Sequence, residues 1–162
     1  MSSPPDKSVL RAAIVAQLQA ELHLQSTAAE LAHDEAISEE SRAENKYDTH
    51  SQEASYLAEG QAKLAAEIAE SVAIYQNLTL PDFPEGSPIA LGALVELEAE
   101  ERSSWYFLGP RAGGMELPGP DGSDVLVITP QSPLGRQLLG LSSGAAVASP
   151  GRGGVQTVGR VL

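Results

Sequence analysis

The sequence predicts an α+β fold: an N-terminal antiparallel α-helical coiled-coil hairpin, followed by a small, mostly β-sheet domain with one short helix. The first supporting observation is a change of composition near residue 80. Residues 1–80 contain two prolines, both within the first five positions, and a single glycine, whereas residues 81–162 contain nine prolines and fourteen glycines. Because both residue types interrupt helices, the first half is free to form long helices and the second half is expected to form strands and turns. The second observation is the spacing of apolar residues in each half.

The first helix is expected to begin directly after Pro4-Pro5, with Asp6 as its N-cap. Its apolar residues recur three or four positions apart for most of its length, which is the spacing of one helix face. This rhythm fails around residues 37–43, where we expect the chain to turn. The predicted apolar face consists of Leu10, Ile14, Leu18, Leu24, Ala28 and Leu31.

The second helix has a regular heptad spacing, with steps of three and four residues in alternation. Two such helices joined by a few residues most simply pack against each other as a coiled coil. Helices of about 30 residues form a rod of roughly 45 Å, too long for the second half of the chain to cover, so we expect it to project into solvent or into a partner. The seam positions are Tyr47, His50, Ala54, Leu57, Gln61, Leu64, Ile68, Ser71 and Tyr75.

The predicted turn is strongly acidic. One interpretation is a solvated loop in which Ser38 or Ser41 caps the second helix and glutamates favour the helix N-terminus. The other is that clustered carboxylates are presented to a site in a partner, because carboxylate oxygens are the preferred ligands of Mg²⁺. Taken alone, the residues leave both interpretations open. The carboxylates are Asp34, Glu35, Glu39, Glu40 and Glu44.

A linker at residues 77–88, with three prolines and one glycine, is expected to separate the coiled coil at 1–76 from the C-terminal domain at 89–162. The apolar residues of that domain alternate with polar ones or form short runs, which predicts an antiparallel sheet of four or five strands. We interpret the aromatic cluster Trp105, Tyr106 and Phe107 as packing on this sheet. The predicted strands include residues 91–98, 104–108, 125–128 and 155–162, the first half-buried and the third central.

A short helix is predicted at residues 132–140. Ser132 is the expected N-cap and Pro133 the first helical residue, a position where proline loses no hydrogen bond. Gly140 is the expected stop. A short helix on such a sheet completes an α+β domain.

Composition excludes several classes of function. The formal net charge is −12, from 10 basic and 22 acidic residues, so the surface would repel the phosphates of nucleic acid, and direct DNA binding is expected to be weak or absent. No apolar run is long enough for a membrane span, and the N-terminus lacks a secretory signal. The absence of cysteine removes disulfides, thiolate metal sites and cysteine nucleophiles. We therefore expect a soluble, cytoplasmic protein.

Three segments of the sequence resemble a known family. The segment 128–140, ITPQSPLGRQLLG, resembles the C-terminal signature of the GreA/GreB transcription elongation factors. Glu44-Asn45 and the segment 56–61, YLAEGQ, resemble the second helix of the same family. The resemblance covers essentially the whole chain, with both halves in the right order, and the block at 44–49 is typical of a divergent Gre-like branch. It implies an FKBP-like C-terminal domain beside the coiled coil.

This resemblance implies a function and partners. Gre-like factors bind bacterial RNA polymerase at its secondary channel, where acids at the coiled-coil tip help to hold a Mg²⁺ ion while the polymerase cleaves backtracked RNA. The protein would then be an accessory factor without enzymatic activity, would share Mg²⁺ with the polymerase without binding a cofactor alone, and would contact nascent RNA indirectly. We expect it to be a monomer, because both predicted helix seams are used within the hairpin. The implied catalytic residues are Glu44, the metal-proximal acid, and Glu40 as its assistant; the implied partner-binding residues are Asn45, Ser132, Pro133 and Leu134.

The tip departs from the family pattern at one position. Ser41 occupies the place of the family's first tip acid, and Glu40 lies one residue earlier, rotated by about 100° on a helix. Basic residues near the tip are limited to Arg42 and Lys46. Two functions therefore remain open: a factor that stimulates cleavage, and a channel regulator that binds polymerase without stimulating cleavage. A third, proline isomerisation, is disfavoured, because an aromatic-lined pocket is hard to build from two Phe and one Trp.

Overall fold

The computed structural model describes residues 3–42, 49–148 and 154–162. These residues form two compact units. The helical unit is Val15–Ala73, and the sheet unit combines Met1–Ile14 with Ile74–Leu162. Within the described part of the chain, no helix is both long and apolar enough to cross a membrane.

Two long helices occupy most of the first half of the chain: α1 at Lys7–Arg42 and α2 at Thr49–Gln76. The start of α1 is as predicted, since the Asp6 carboxylate accepts hydrogen bonds from the Ser8 backbone N–H and the Ser8 hydroxyl, at 2.8 and 2.7 Å. These bonds lower the pKa of Asp6. The predicted turn is wrong over residues 37–42, which are helical. They contain no glycine or proline, so loss of the apolar rhythm does not stop the helix.

The buried stripe of the helical unit differs from the predicted seam. Leu24 and Leu31 on α1 are 68% and 65% exposed, and Leu57 and Leu64 on α2 are 54% and 39% exposed, so their assignment to the seam is wrong. Small residues at neighbouring positions are buried instead, because a straight helix drifts from a strict seven-residue repeat. Tyr47 lies outside the described residues, and for His50 and Ala54 only the helical backbone is described. Among the side chains described in this unit, the buried ones are Leu18, Ala32, Ala36, Ala58, Ile68, Ser71 and Val72.

The sheet unit contains six strands in a mixed sheet, whose spatial order is β3-β4-β2-β1-β6-β5. The prediction of four or five antiparallel strands is corrected in two ways. Strands β3 and β5 have three residues each, too short to show alternation, and β2 and β4 pair in parallel. The elements are β1 Leu94–Ala99, β2 Arg102–Leu108, β3 Glu116–Pro118, β4 Asp124–Ile128, α3 Pro133–Leu138, β5 Ala146–Ala148 and β6 Val155–Val161.

Both faces of the central strands are covered. All four residues 94–97 of β1 are buried, so the prediction of a half-buried strand there is wrong. Strand β4 lies between β2 and β3, as expected for an interior strand. Trp105 and Phe107 are buried and Tyr106 is partly buried, which confirms their packing role. The main core beneath α3 contains Ile89, Ala93, Val95, Leu97, Leu108, Ile128, Leu134, Leu138, Val147 and Val158.

Candidate functional site

The first candidate site is the short helix α3, which contains the residues expected to contact a partner. Ser132 caps it as predicted: its Oγ donates to the Thr129 carbonyl oxygen at 2.7 Å and accepts from the Gly135 N–H at 3.1 Å. Pro133 is the first helical residue. The cap satisfies one of the N–H groups that a helix start leaves without an intrahelical partner.

Two glycines fix how α3 lies on the sheet. A Cβ at Gly135 would overlap the Thr129 carbonyl oxygen, so only glycine allows this close approach. Gly140 has a φ of +86°, and its N–H donates to the Ile89 carbonyl oxygen at 2.8 Å. The predicted stop at Gly140 is therefore confirmed, and the helix orientation is determined by backbone contacts at both ends.

The inward and outward residues of α3 can be distinguished by their burial. Leu134 and Leu138 are buried in the core, four residues apart. The sequence-predicted contact residue Leu134 is thus only 9% exposed, and its side chain packs inside the domain. Pro133 is exposed and Ser132 half-buried. We define the α3 surface as its exposed residues Pro133, Arg136, Gln137 and Leu139.

Three members of the α3 surface were missed by the sequence reasoning: Arg136, Gln137 and Leu139. Leu139 is 49% exposed although it is a large apolar residue. The four-residue spacing of Leu134 and Leu138 marks the inward face of α3 and could have identified Arg136 and Gln137, which lie off that face. Leu139 is the C-cap residue, and this spacing does not indicate its exposure.

The second candidate site is the tip between α1 and α2. Glu40 and Ser41 lie in the last turn of α1 by their backbone, and their side chains are outside the described set. Glu44 and Asn45 lie outside the described residues altogether. Among the side chains that the structure describes, which exclude those of residues 39–52, no three His, Asp or Glu form a group that could hold a metal ion.

The third candidate site is the surface of the helical unit. Leu24 and Leu31 are seven residues apart on α1, and Leu57 and Leu64 are seven apart on α2; we call these four residues the exposed heptad leucines. They lie in a segment with twelve acidic and three basic residues between Val15 and Ala73. Exposed apolar side chains are common on protein surfaces, and we select these four as candidates for contact with another macromolecule because of their heptad spacing on acidic helices.

A charged cluster on the sheet was also not foreseen. Glu96 is 5% exposed, and the Arg160 guanidinium donates to both of its carboxylate oxygens, with Nε–Oε1 and Nη2–Oε2 distances of 3.1 Å. The Arg160 guanidinium also lies 4.9 Å from the centroid of the Trp105 ring. These bonds hold the pKa of Glu96 below its usual range. Because the carboxylate is fully engaged, we interpret this cluster as structural.

Neither a family model nor a curated protein matches the chain. Among solved structures, "GreA factor homolog 1 (Gfh1)" of Thermus thermophilus has a TM-score of 0.35 at 20% identity and covers 91% of this chain and 94% of its own. Gfh1 of Thermus aquaticus has a TM-score of 0.38 at 22% identity, with 90% and 92% covered. A third structure, "the transcription factor Gfh1", has a TM-score of 0.36 at 19% identity, with 89% and 88% covered.

The α+β class of this chain follows from its own elements, a pair of long helices and a mixed six-stranded sheet with a short helix.

Proposed function

We propose that this protein is a Gre-like transcription factor that binds bacterial RNA polymerase at its secondary channel and acts on paused or backtracked complexes. The observation that carries the proposal is the resemblance of segment 128–140 to the GreA/GreB signature, together with matching residues in the second helix, in the family's order. The same segment folds into a helix capped by Ser132 and held against the backbone at Gly135.

The α3 surface is the proposed docking site on the polymerase. Pro133 and Leu139 offer apolar contacts beside the charged Arg136 and the amide of Gln137, a mixture typical of protein interfaces. Leu134 supports docking indirectly, because its packing in the core holds α3 in position on the sheet. Ser132 acts in the same way through its cap.

The helical unit is proposed to enter a positively charged cavity of the polymerase. Its acidic residues favour such surroundings, and the exposed heptad leucines supply apolar contacts along its length. In this proposal the polymerase contacts the four leucines that the helices leave exposed. The partner is a protein surface, so the net negative charge is no obstacle, and the factor is proposed to act as a monomer without direct DNA binding.

The tip carries the proposed chemistry. Glu44, assisted by Glu40, would contribute carboxylate oxygens near a Mg²⁺ ion shared with the polymerase, and Asn45 would contact the partner. When bound, such an ion activates water and stabilises developing charge on phosphate oxygens. The factor itself makes and breaks no bond in this proposal, so it is an accessory to the polymerase and not an enzyme.

A second function is favoured by Ser41, which stands where the resemblance implies an acid. A serine hydroxyl is a neutral and weaker metal ligand than a carboxylate. A factor with this tip could bind in the channel without stimulating cleavage and so act as a regulator.

The deciding experiment uses stalled, backtracked elongation complexes of the cognate polymerase. Binding and RNA cleavage are measured with the protein as it is, with Glu44→Ala, with Glu40→Ala, and with Glu30→Ala as a matched control on an exposed acid of α1. Faster cleavage that is lost only in the first two variants supports the cleavage function. Binding without cleavage supports the regulator, and Ser41→Asp is then the next variant. Failure to bind would refute the proposal.

A further inference from the structure

A groove of about 600 Å³ runs along strand β6 of the sheet unit. It is lined by residues 157–162, by residues 83–87, and by Glu98, Ser143 and Gly144. Side chains of a strand largely alternate between the two faces of a sheet, so a groove lined by six consecutive residues also contacts the strand's backbone. The groove therefore lies against the backbone of β6.

This edge has no partner strand along part of its length. Strand β5 pairs only with residues 155–157 of β6, and the Val158 backbone exchanges bonds with Gly144 and Ala145, at 2.8 and 2.9 Å. Beyond Val158, the described part of the chain places no strand beside residues 159–161 on the side away from β1. The position next to β6 that continues the line of β5 is open.

Hydrogen-bond geometry shows which backbone groups face this opening. Leu94 and Leu162 exchange both backbone hydrogen bonds, each 2.9 Å long. In an antiparallel ladder the next pair, Val95 and Val161, is then a non-hydrogen-bonded pair. The N–H and C=O of Val161 consequently point away from β1, into the groove.

The groove is negatively charged. Glu85 and Glu98 are exposed and line it, and the Glu98 carboxylate lies close over the β6 backbone, since a Cβ at Gly159 would be 2.8 Å from its Oε1. The one cation among the lining residues, Arg160, is bonded to the buried Glu96 carboxylate. The Lys7 ammonium lies beside two other lining residues, with its Nζ 3.0 Å from the Leu162 oxygen and 4.9 Å from the centroid of the Phe83 ring. The two carboxylates of Glu85 and Glu98 outnumber this single cation, so an incoming segment meets a net negative charge.

We propose that this groove binds an extended, positively charged segment of a partner protein, which adds as a strand beside residues 159–161. An unpaired edge supplies backbone donors and acceptors to an extended chain, and carboxylates beside it favour Lys or Arg side chains. Three strand residues span about 10 Å, so the site recognises a short segment. No residue of α3 lines the groove, and the proposal does not depend on the proposed polymerase function.

The test uses a fluorescently labelled, end-capped hexapeptide of alternating Val and Lys as the probe, titrated with the full chain. Fluorescence anisotropy gives the affinity, and NMR amide shifts locate the binding. We expect the Val161 and Gly144 amides to shift. We also expect about tenfold weaker binding of a peptide with Glu in place of Lys, and of one with proline at every second position, which cannot pair with a strand edge.

Variants of the chain test the contribution of the strand edge and that of the groove charge separately. Val161→Pro removes a backbone N–H that makes no hydrogen bond to β1, and it should weaken peptide binding about tenfold. The double variant Glu85→Lys, Glu98→Lys reverses the charge of the two groove carboxylates and should weaken binding by a similar factor. The double variant Asp121→Lys, Asp124→Lys makes the same change of charge near the opposite edge of the sheet and should leave affinity unchanged. No binding of the Val-Lys probe, equal binding of the Glu peptide, or equal loss with this control variant would overturn the proposal. If Val161→Pro does not fold, the Glu85→Lys, Glu98→Lys variant decides.

Discussion

The guanidinium of Arg160 and the carboxylate of Glu96 form a two-bond ion pair at the point where the pairing of β1 and β6 shifts register. The shift lies between Val95 and Leu97, so the backbone ladder is interrupted beside Glu96 itself. Both side-chain bonds are 3.1 Å long, and the Arg160 backbone N–H lies 3.5 Å from the same carboxylate. The pair therefore joins two central strands where the backbone ladder is irregular.

Low pH should lower the stability of the sheet unit through protonation of Glu96. Its pKa is lowered in the folded state, mainly by the hydrogen bonds from Arg160, so its stabilising contribution is complete above the ordinary glutamate pKa of about 4.3. This contribution is lost as pH falls from that value through the lower folded pKa, because the unfolded state binds the proton first. Glu96→Gln should cost about 1–2 kcal/mol at pH 7, since Arg160 is partly exposed, and should flatten the pH dependence of stability below the ordinary glutamate pKa.

Urea unfolding at several pH values, followed by the fluorescence of Trp105, measures this effect. Glu98→Gln on the same strand is the control, because Glu98 is exposed. Equal pH dependence in the wild-type protein and Glu96→Gln would show that the ion pair does not contribute to the acid response.

Two glycine substitutions should change stability in opposite directions. Gly135→Ala should destabilise the sheet unit by about 2 kcal/mol or more, because the added methyl group overlaps the Thr129 carbonyl oxygen. Gly60→Ala should stabilise α2 by about 0.5–1 kcal/mol, because Gly60 is helical with open space around its Cβ position. Thermal unfolding by circular dichroism compares the two. A neutral Gly135→Ala would mean that α3 can shift away from Thr129.

High pH should lower the stability of the folded protein through ionisation of Tyr75. Its hydroxyl donates to the Arg111 carbonyl oxygen, and burial raises its pKa to about 12. The unfolded state ionises near pH 10, so stability is fully present below that pH and falls between about pH 10 and 12. Tyr75→Phe should lower stability at pH 7 by about 1 kcal/mol and remove this alkaline loss.

Denaturant midpoints at pH 8 and pH 11 measure the effect, with the exposed Tyr56→Phe as control. The same alkaline loss in Tyr75→Phe would locate the titrating group elsewhere.

The exposed heptad leucines should matter for binding and not for stability. Replacing Leu24, Leu31, Leu57 and Leu64 with Gln should change the unfolding free energy by only a few tenths of a kcal/mol at each site, because these side chains are already exposed. Polymerase affinity should fall at least tenfold in a direct binding assay. Leu18→Ala, at a buried position, should show the reverse pattern, with lower stability and unchanged affinity of the folded fraction.

Local signals predicted local structure well. The Asp6 cap, the Ser132 cap, the proline at the first position of α3 and the stop at Gly140 all involve residues within a few positions of one another, and all are present. The division into long helices and a sheet with a short helix also follows from the positions of Gly and Pro.

The sequence-based predictions that were wrong concern contacts between residues far apart in the sequence. Whether Leu31 or Ala32 is buried depends on where the second helix lies, and a one-residue difference turns a side chain by about 100°. Likewise, Glu96 and Arg160 are 64 positions apart, so their pairing has no local signature. For the candidate site, the α3 residues were identified but their inward or outward orientation was not. The Glu44 assignment stays a prediction.

The order of strands in the sheet has a consequence for the order in which the protein folds. Strand β1 lies between β2 and β6, yet β6 is at Val155–Val161, more than fifty residues later in the chain. Such non-local pairing gives a high contact order, and loop-closure entropy must be overcome before the contacts form. During synthesis on a ribosome, the edge of β1 that pairs with β6 stays unpaired until β6 has been synthesised. Helix α1 can begin to form earlier, because its hydrogen bonds join residues that are close in sequence. We therefore expect the helices to form first and the sheet to set the folding time of the whole protein.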